Sequence, residues 1–149
     1  MDEFSAVRTV SQGEAGSICG LRVLVVDDEP HICVYLIELL RKLGITTTWE
    51  AGTGEAALEL FAQHRPDVVL LDLNLPFMRG TEVLRQLLHL DPDAAVIVVT
   101  SDQSSQTIRK VGELGALGYV LKHLPPDRFR ATLAKALAQI EPQERTEQP

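Results

Sequence analysis

Residues 67–80 read DVVLLDLNLPFMRG, an apolar run followed by a polar loop. The four apolar residues 68–71 form a short unbroken run that is typical of a strand buried on both faces of a parallel sheet. Asp72 closes the run and begins a polar loop. An Asp at the end of a strand often does no more than start a turn. That interpretation weakens here because other apolar runs of this chain also end in reactive side chains.

The composition is that of one acidic domain. The chain has 149 residues, which is enough for a single domain with a sizeable core, and a net charge of -7. This charge argues against direct binding to nucleic acid or to an anionic membrane. Two cysteines, Cys19 and Cys33, do not make a disulfide framework. Because no stretch resembles a transmembrane helix or a signal peptide, a cytoplasmic protein is expected.

Outward from residues 67–80, the chain alternates between strand and helix patterns. Runs of apolar or alternating residues predict strands at residues 21–26, 45–50, 68–71, 95–99 and 118–121. Helical patterns follow each strand. The first begins at Pro30 with a preceding acid as its cap and stops at Gly44, and Thr53 caps the second. Residues 1–20 are predicted to be a flexible tail, 21–140 the domain and 141–149 a disordered tail.

This alternation predicts an α/β fold with a parallel sheet, helices on both faces and right-handed crossovers. Five strands suit the flavodoxin-like (βα)5 three-layer sandwich with strand order 2-1-3-4-5. That order places the second strand at an edge, which agrees with its interleaved threonines. The length excludes a half barrel. A split dinucleotide-binding fold is disfavoured because Asp27, Asp28, Glu29 and Pro30 occupy the place of its glycine-rich loop.

Reactive side chains follow four of the predicted strands: Asp27 and Asp28, Asp72, Thr100, and Lys122. Each alone could be a helix cap, a β-former or a solvated strand end. In an open parallel sheet, however, ligands bind beyond the carboxyl ends of the strands, where these residues converge. Three crowded carboxylates favour a divalent cation, and Mg2+ suits oxygen ligands beside a phosphate. Asp72 can then be a nucleophile that forms an acyl phosphate.

The sequence resembles a response-regulator receiver domain of two-component signal transduction (the CheY-like superfamily). The resemblance covers about residues 21–140 and rests on four motifs, VVDDEP at 25–30, LDLNLP at 71–76 with Met78 and Gly80, VTS at 99–101, and GALGYVLK at 115–122. It implies a phosphorelay module that is not an enzyme in the ordinary sense. It would catalyse only its own phosphoryl transfer and dephosphorylation.

The resemblance also implies a role for each site residue. Asp72 would accept phosphate from a sensor histidine kinase or a histidine phosphotransfer protein. Asp28, Asp72 and the backbone carbonyl of Asn74 would bind Mg2+, and Asp27 would act through a metal-bound water. Thr100 and Lys122 would contact the phosphoryl oxygens. Tyr119 would be a switch, and the partner-binding surface would comprise helix 4, strand 5 and helix 5, with Gly112 weakening helix 4.

The chain departs from the family pattern at two positions. His123 follows Lys122 where receivers usually have proline, often after a cis peptide. Since a non-proline cis bond costs roughly 2.5–4 kcal/mol, a trans loop is expected, with Lys122 placed differently. Arg79 adds a positive charge near the mouth of the site, where many members have a small or acidic residue.

Two other functions remain as alternatives. A phosphohydrolase of the haloacid-dehalogenase type also uses a nucleophilic Asp at a strand end. It needs a second acid two residues later, where this chain has Asn74, and a cap domain. A pseudo-receiver would signal without phosphate, against which the intact site residues argue. With about nine residues after the last helix and no output domain, the chain is either a stand-alone receiver or part of a longer regulator.

Overall fold

The computed structural model describes residues 18–143. Five strands alternate with five helices. The strands are β1 (Arg22–Val26), β2 (Thr47–Ala51), β3 (Val68–Leu71), β4 (Ala95–Thr100) and β5 (Gly118–Leu121). The helices are α1 (Pro30–Lys42), α2 (Gly54–His64), α3 (Gly80–Leu90), α4 (Ser105–Leu114) and α5 (Pro126–Leu137).

All strand pairs are parallel, and the sheet order is β2-β1-β3-β4-β5. The predicted fold class and strand order are therefore confirmed. Successive β1 residues point to opposite faces, so Val23 and Val25 join the core beneath α1 and α5, while Leu24 and Val26 join the core beneath α2, α3 and α4. Burial on both faces explains why the central strands contain almost no polar residue.

The largest error in the predicted strand boundaries is in the second strand, whereas β1 and β4 each differ from prediction by one residue. The second strand begins at Thr47, which pairs with Arg22, and it extends to Ala51. Ile45 belongs to the preceding turn, where its N–H donates to the carbonyl of Leu40 (2.9 Å) and its side chain is buried. Ile45 is apolar and close to the strand in sequence, but its side chain packs in the core with α1.

The helix ends show which sequence signals were reliable. The Thr53 hydroxyl accepts a hydrogen bond from the N–H of Ala56 (3.1 Å), so the predicted cap of α2 is confirmed. The predicted acidic cap of α1 is wrong, because Glu29 at that position makes no side-chain cap bond. Its N–H instead donates to Asp27 Oδ1 (2.9 Å). In α4 only Val111 is buried, in keeping with the expected weakness of this helix.

The predicted tails lie mostly outside the described residues, at 1–17 and 144–149. The parts that the structure describes lie against the domain. Residues 18–20 form a short 3-10 turn, and Ile18 packs against the core beneath α1. At the other end, the N–H of Gln143 donates to Asp67 Oδ1 (2.7 Å), while Asp67 Oδ2 accepts from the N–H of Arg22 (2.8 Å).

Candidate functional site

The site lies at the carboxyl edge of the sheet, where β1 and β3 end side by side. In their register Val26 pairs with Leu71, so the residues that follow each strand become neighbours. Backbone bonds fix both positions, because the N–H of Asp72 donates to Val26 O (2.9 Å) and that of Asp27 donates to Ala51 O (3.0 Å). The sheet therefore holds these two carboxylates together.

Asp27, Asp28 and Asp72 form a carboxylate cluster, in which one oxygen from each residue lies within 4.8 Å of the others. Asp27 and Asp72 are only 2% and 3% exposed, whereas Asp28 is open to solvent. Among the described residues, no group donates a hydrogen bond to the buried Oδ1 of Asp72. A buried carboxylate oxygen without a donor is costly, and a hard cation such as Mg2+ is the partner that three carboxylates suit. These residues fit the predicted metal site.

Lys122 reaches the same cluster from the end of β5. Its Nζ lies 2.8 Å from Asp27 Oδ2, 3.3 Å from Asp72 Oδ2 and 3.7 Å from Glu29 Oε1. Burial acts to lower the pKa of Lys122, but its hydrogen bonds and charge attraction to Asp27 and Asp72 outweigh burial and raise it. The ammonium is therefore a fixed positive charge.

The expectation that His123 would displace Lys122 is wrong, although the trans loop itself is observed. No peptide bond among residues 18–143 is cis. The N–H of Lys122 donates to Thr100 O (2.8 Å), which keeps Lys122 in register with β4, and the side chain meets the carboxylates. The ring of His123 contributes an unforeseen contact, since its Nε2 lies 3.2 Å from Ser101 O.

The Asp72 carboxyl has a pKa raised to about 6. Burial is the main cause and the charge of Asp27 adds to it, while Lys122 and a backbone hydrogen bond from Asn74 oppose the shift. The ionised form of Asp72 is thus incompletely balanced by the protein alone. An additional cation at the cluster would favour it.

Thr100 and Tyr119 both contact the loop that follows β4. Thr100 is fully buried, and its Oγ1 accepts a hydrogen bond from the N–H of Asp102 (3.3 Å). The hydroxyl of Tyr119 donates to the carbonyl oxygen of Asp102. Burial, followed by the charge of Asp102, raises the pKa of Tyr119 to about 12, so the phenol stays protonated. Asp102 thus joins two predicted site residues, a link that no sequence spacing indicated.

The β3–α3 loop carries Asn74 and folds tightly onto the end of β3. A Cβ on Gly80 would lie 2.4 Å from the Cα of Leu73 and 2.7 Å from the carbonyl oxygen of Asp72, closer than real structures permit. The N–H of Gly80 also donates to Leu73 O (3.0 Å). Glycine is therefore required for this loop to pass so close to Asp72. The role of the Asn74 carbonyl as a metal ligand stays a prediction.

With this geometry in place, comparison with known proteins identifies the family. The protein-family model described as the response regulator receiver domain matches residues 23–134. The chain belongs to this family. Receiver domains are phosphoacceptor signalling modules of two-component systems rather than classical enzymes, they bind Mg2+ at an acidic pocket, and they interact with histidine kinases or phosphotransfer proteins.

Individual relatives agree with the family assignment. This receiver is 35% identical to sporulation initiation phosphotransferase F of Bacillus subtilis over 116 residues, which cover 78% of this chain and 93% of that protein. It is 29% identical to the chemotaxis protein CheY of Thermotoga maritima, covering 78% and 97% of the two chains. The similarity thus extends over nearly the whole length of these relatives.

Solved structures match the receiver's backbone. A two-component response regulator of the LuxR family from Aurantimonas sp. superposes with a TM-score of 0.74 at 31% identity, covering 83% of this chain and 89% of the other. The CheX-CheY-BeF3-Mg2+ complex from Borrelia burgdorferi matches with a TM-score of 0.73 at 26% identity, covering 78% and 86%. Within residues 18–143, no helix is both long and apolar enough to cross a lipid bilayer.

Proposed function

We propose that Asp72 is the phosphoacceptor of this receiver. The observation that carries the proposal is the buried Oδ1 of Asp72, which has no hydrogen-bond donor among the described residues although Asp27 and Lys122 lie against the same carboxylate. The protein alone therefore leaves the charge of this carboxylate incompletely balanced, and an ionised carboxylate oxygen can act as a nucleophile toward phosphorus. The raised pKa of Asp72, about 6, leaves the carboxylate ionised at neutral pH.

The transfer requires an anionic nucleophile and a leaving group. A carboxylate oxygen of Asp72 attacks the phosphorus of a phosphohistidine, forming an O–P bond as the P–N bond breaks. The histidine nitrogen keeps the electron pair of that bond and takes up a proton from solvent. Lys122, already 3.3 Å from Asp72 Oδ2, stabilises negative charge that develops on the transferred group. Hydrolysis of the acyl phosphate by water would then return Asp72 to its resting state.

The proposed metal ligands are Asp28, Asp72 and the carbonyl oxygen of Asn74, with Asp27 acting through a bound water. When bound, Mg2+ would supply positive charge for the phosphoryl oxygens. Asp27 would do more than contact the metal-bound water. Its Oδ2 forms an ion pair with the Lys122 ammonium (2.8 Å), and its Oδ1 accepts a hydrogen bond from the Glu29 N–H (2.9 Å). It positions Lys122 and the start of α1.

We assign Thr100 and Tyr119 to the switch. The hydroxyl of Thr100 accepts from the N–H of Asp102, and its own O–H can donate to a phosphoryl oxygen. If Thr100 is drawn toward the phosphoryl group, this contact with Asp102 would change. The backbone carbonyl of Asp102 accepts a hydrogen bond from the Tyr119 hydroxyl. A movement of the Asp102 segment would therefore release Tyr119, and its ring would move inward. The surface of α4, β5 and α5 would report this change, since α4 has little buried area to resist it.

The proposed partners are a sensor histidine kinase or a histidine phosphotransfer protein as the donor, and a downstream protein that recognises the phosphorylated surface. The net charge of -7 does not favour direct contact with nucleic acid.

The decisive experiment is intact-protein mass spectrometry after incubation with acetyl phosphate and Mg2+. We expect a gain of one phosphoryl group that is lost with EDTA and in Asp72→Asn. Asp28→Asn should weaken the metal dependence, whereas Asp93→Asn, an exposed carboxylate before β4 at the opposite end of the sheet, should behave as wild type. No gain in the wild-type protein would contradict the proposal and favour a pseudo-receiver.

A further inference from the structure

A cleft opens beside the carboxylate cluster, between the β3–α3 loop and α4. Its volume is about 710 Å3. One wall is formed by the loop that carries Asn74, and the other by the first two turns of α4 with the loop before it. The polar side chains that line it are Asp28, Asn74, Arg79, Asp102, Thr107 and Lys110. Through Asp28, which lines it, the cleft adjoins the carboxylate cluster that contains Asp72.

Arg79 and Lys110 both line the cleft, and they belong to different elements, the β3–α3 loop and α4. Both side chains are exposed, and neither has an ion-pair or hydrogen-bond partner within residues 18–143. Lys122 differs from them because it already forms ion pairs, with its Nζ within 4.0 Å of three carboxylates. Arg79 and Lys110 are therefore the cations of this cleft that remain available to a ligand.

The charge balance of the carboxyl edge gives these two cations a role. Lys122 and one bound divalent cation together supply three positive charges, and the edge carries five carboxylates. Two negative charges would remain, and they would repel an anionic phosphodonor. Arg79 and Lys110 cancel this excess. The five carboxylates are those of Asp27, Asp28, Glu29, Asp72 and Asp102.

We propose that Arg79 and Lys110 form an anion-capture site for the phosphodonor, specific for a dianionic phosphoryl group. The two side chains attract the donor into the cleft and leave the chemical step to Asp72 and Lys122. The proposal rests on the function proposed above and adds residues to it. Arg79 also begins α3, but it does so through its backbone carbonyl, which accepts from Glu82 and Val83 and survives substitution by Ala.

The test measures the rate of phosphoryl gain against acetyl phosphate concentration, with Mg2+, for wild type and Arg79→Ala/Lys110→Ala. At low salt we expect the double variant to have a half-saturating concentration about three- to tenfold higher, with an unchanged saturating rate. At about 1 M salt, where charges are screened beyond about 3 Å, the difference should vanish. The single variant Arg79→Lys keeps the positive charge and should stay close to wild type.

Two controls separate local capture from overall charge. Arg109→Ala removes one charge from the exposed residue next to Lys110 that does not line the cleft, so it should leave the kinetics unchanged. Phosphoramidate carries less negative charge than acetyl phosphate. Its half-saturating concentration should therefore rise less in the double variant.

The outcomes distinguish this proposal from the one on which it rests. Absence of labelling in wild-type protein would overturn the phosphoacceptor function and the capture site with it. If Asp72 is labelled but the double variant matches Arg109→Ala, only the capture site is wrong. A loss that persists at high salt, or that falls on the saturating rate, would also overturn it.

Discussion

His123 Nε2 lies 3.2 Å from the backbone carbonyl oxygen of Ser101, so the loop after β5 is tied to the loop after β4. Because a carbonyl oxygen can only accept, the contact is a hydrogen bond when the ring proton is on Nε2. Proline, the residue that receivers usually have after the site lysine, has no side-chain donor and could not make it. The link joins the segments that carry Lys122 and Thr100.

Loss of this link should loosen the loop after β4. We expect His123→Ala to speed amide hydrogen exchange in residues 101–104 with a loss of at most about 1 kcal/mol in unfolding free energy, as for one exposed hydrogen bond. His123→Gln retains a side-chain N–H donor, so amide exchange in this loop should be slower than in His123→Ala. Exchange followed by mass spectrometry decides the matter, and equal exchange in wild type and His123→Ala would show that the contact is unimportant.

Removal of the Asp72 charge should stabilise the metal-free protein. The pKa of Asp72 is about 6 in the folded state, against an ordinary value of 3.8, so folding penalises the charged form. Stability therefore falls as pH rises from 3.8 through 6, and Asp72→Asn escapes this loss. At pH 8 in EDTA we expect the variant to gain about 1–3 kcal/mol in urea unfolding.

At a pH of about 3 or below, that gain should shrink to nearly zero, because Asp72 is then largely protonated in both states. Asp93→Asn, an exposed carboxylate, is the matched control and should show no comparable change. A destabilised Asp72→Asn at pH 8 would mean that contacts of the ionised carboxylate with Lys122 outweigh its burial.

Gly80→Ala should disrupt the site through sterics alone. The new Cβ would lie 2.4 Å from the Cα of Leu73, and relief requires the β3–α3 loop to move away from Asp72. We expect about 1–3 kcal/mol lower stability and slower labelling by acetyl phosphate. Gly52→Ala is the control, since its Cβ would find no atom nearer than 4.0 Å, at the Asp27 carbonyl. Thermal unfolding of both variants, combined with labelling rates, tests the prediction.

Tyr119→Phe should reveal the hydrogen bond to Asp102. Its removal should cost about 1 kcal/mol at neutral pH, the usual value for one such bond. Burial and Asp102 raise the pKa of Tyr119 to about 12 from 10.0, so folding keeps the phenol neutral. The contribution of the neutral phenol to the free energy of unfolding is complete below pH 10, and it is lost as the pH rises toward 12.

An ultraviolet titration of tyrosinate compares the two proteins directly. The wild-type minus Tyr119→Phe difference should appear near pH 12 while the protein remains folded. Ionisation near pH 10 in the folded protein would instead mean that the Tyr119 hydroxyl is free in solution.

The fold was predictable because its signals are local. The apolar runs of β1, β3 and β4 follow from burial on both faces, and Thr53 caps α2 within three residues. The errors came from long-range packing. Ile45 looked like part of a strand but packs in the core with α1. The bond from Gln143 to Asp67 joins residues 76 apart, so no local pattern could reveal that residues 141–143 lie against the domain.

The candidate site was predictable to the same extent. The carboxyl ends of the strands in a parallel sheet lie at one edge, so the sequence alone predicts that Asp27, Asp72 and Lys122 come together, as they do. The orientation of the Thr100 hydroxyl toward Asp102 was not predictable, because it depends on how the loop after β4 turns. The contact of His123 with Ser101 likewise depends on two loops whose paths the sequence does not specify.

The carboxylate of Asp67 holds Arg22, at the start of β1, and Gln143, beyond α5, at the same end of the sheet. Asp67 precedes β3 and Asp72 follows it, so the two described ends of the chain lie at the end of the sheet opposite Asp72. A surface tether placed beyond either end would therefore anchor the receiver with its acidic pocket pointing into solution. Biosensor measurements of donor binding could use either tether without covering the site.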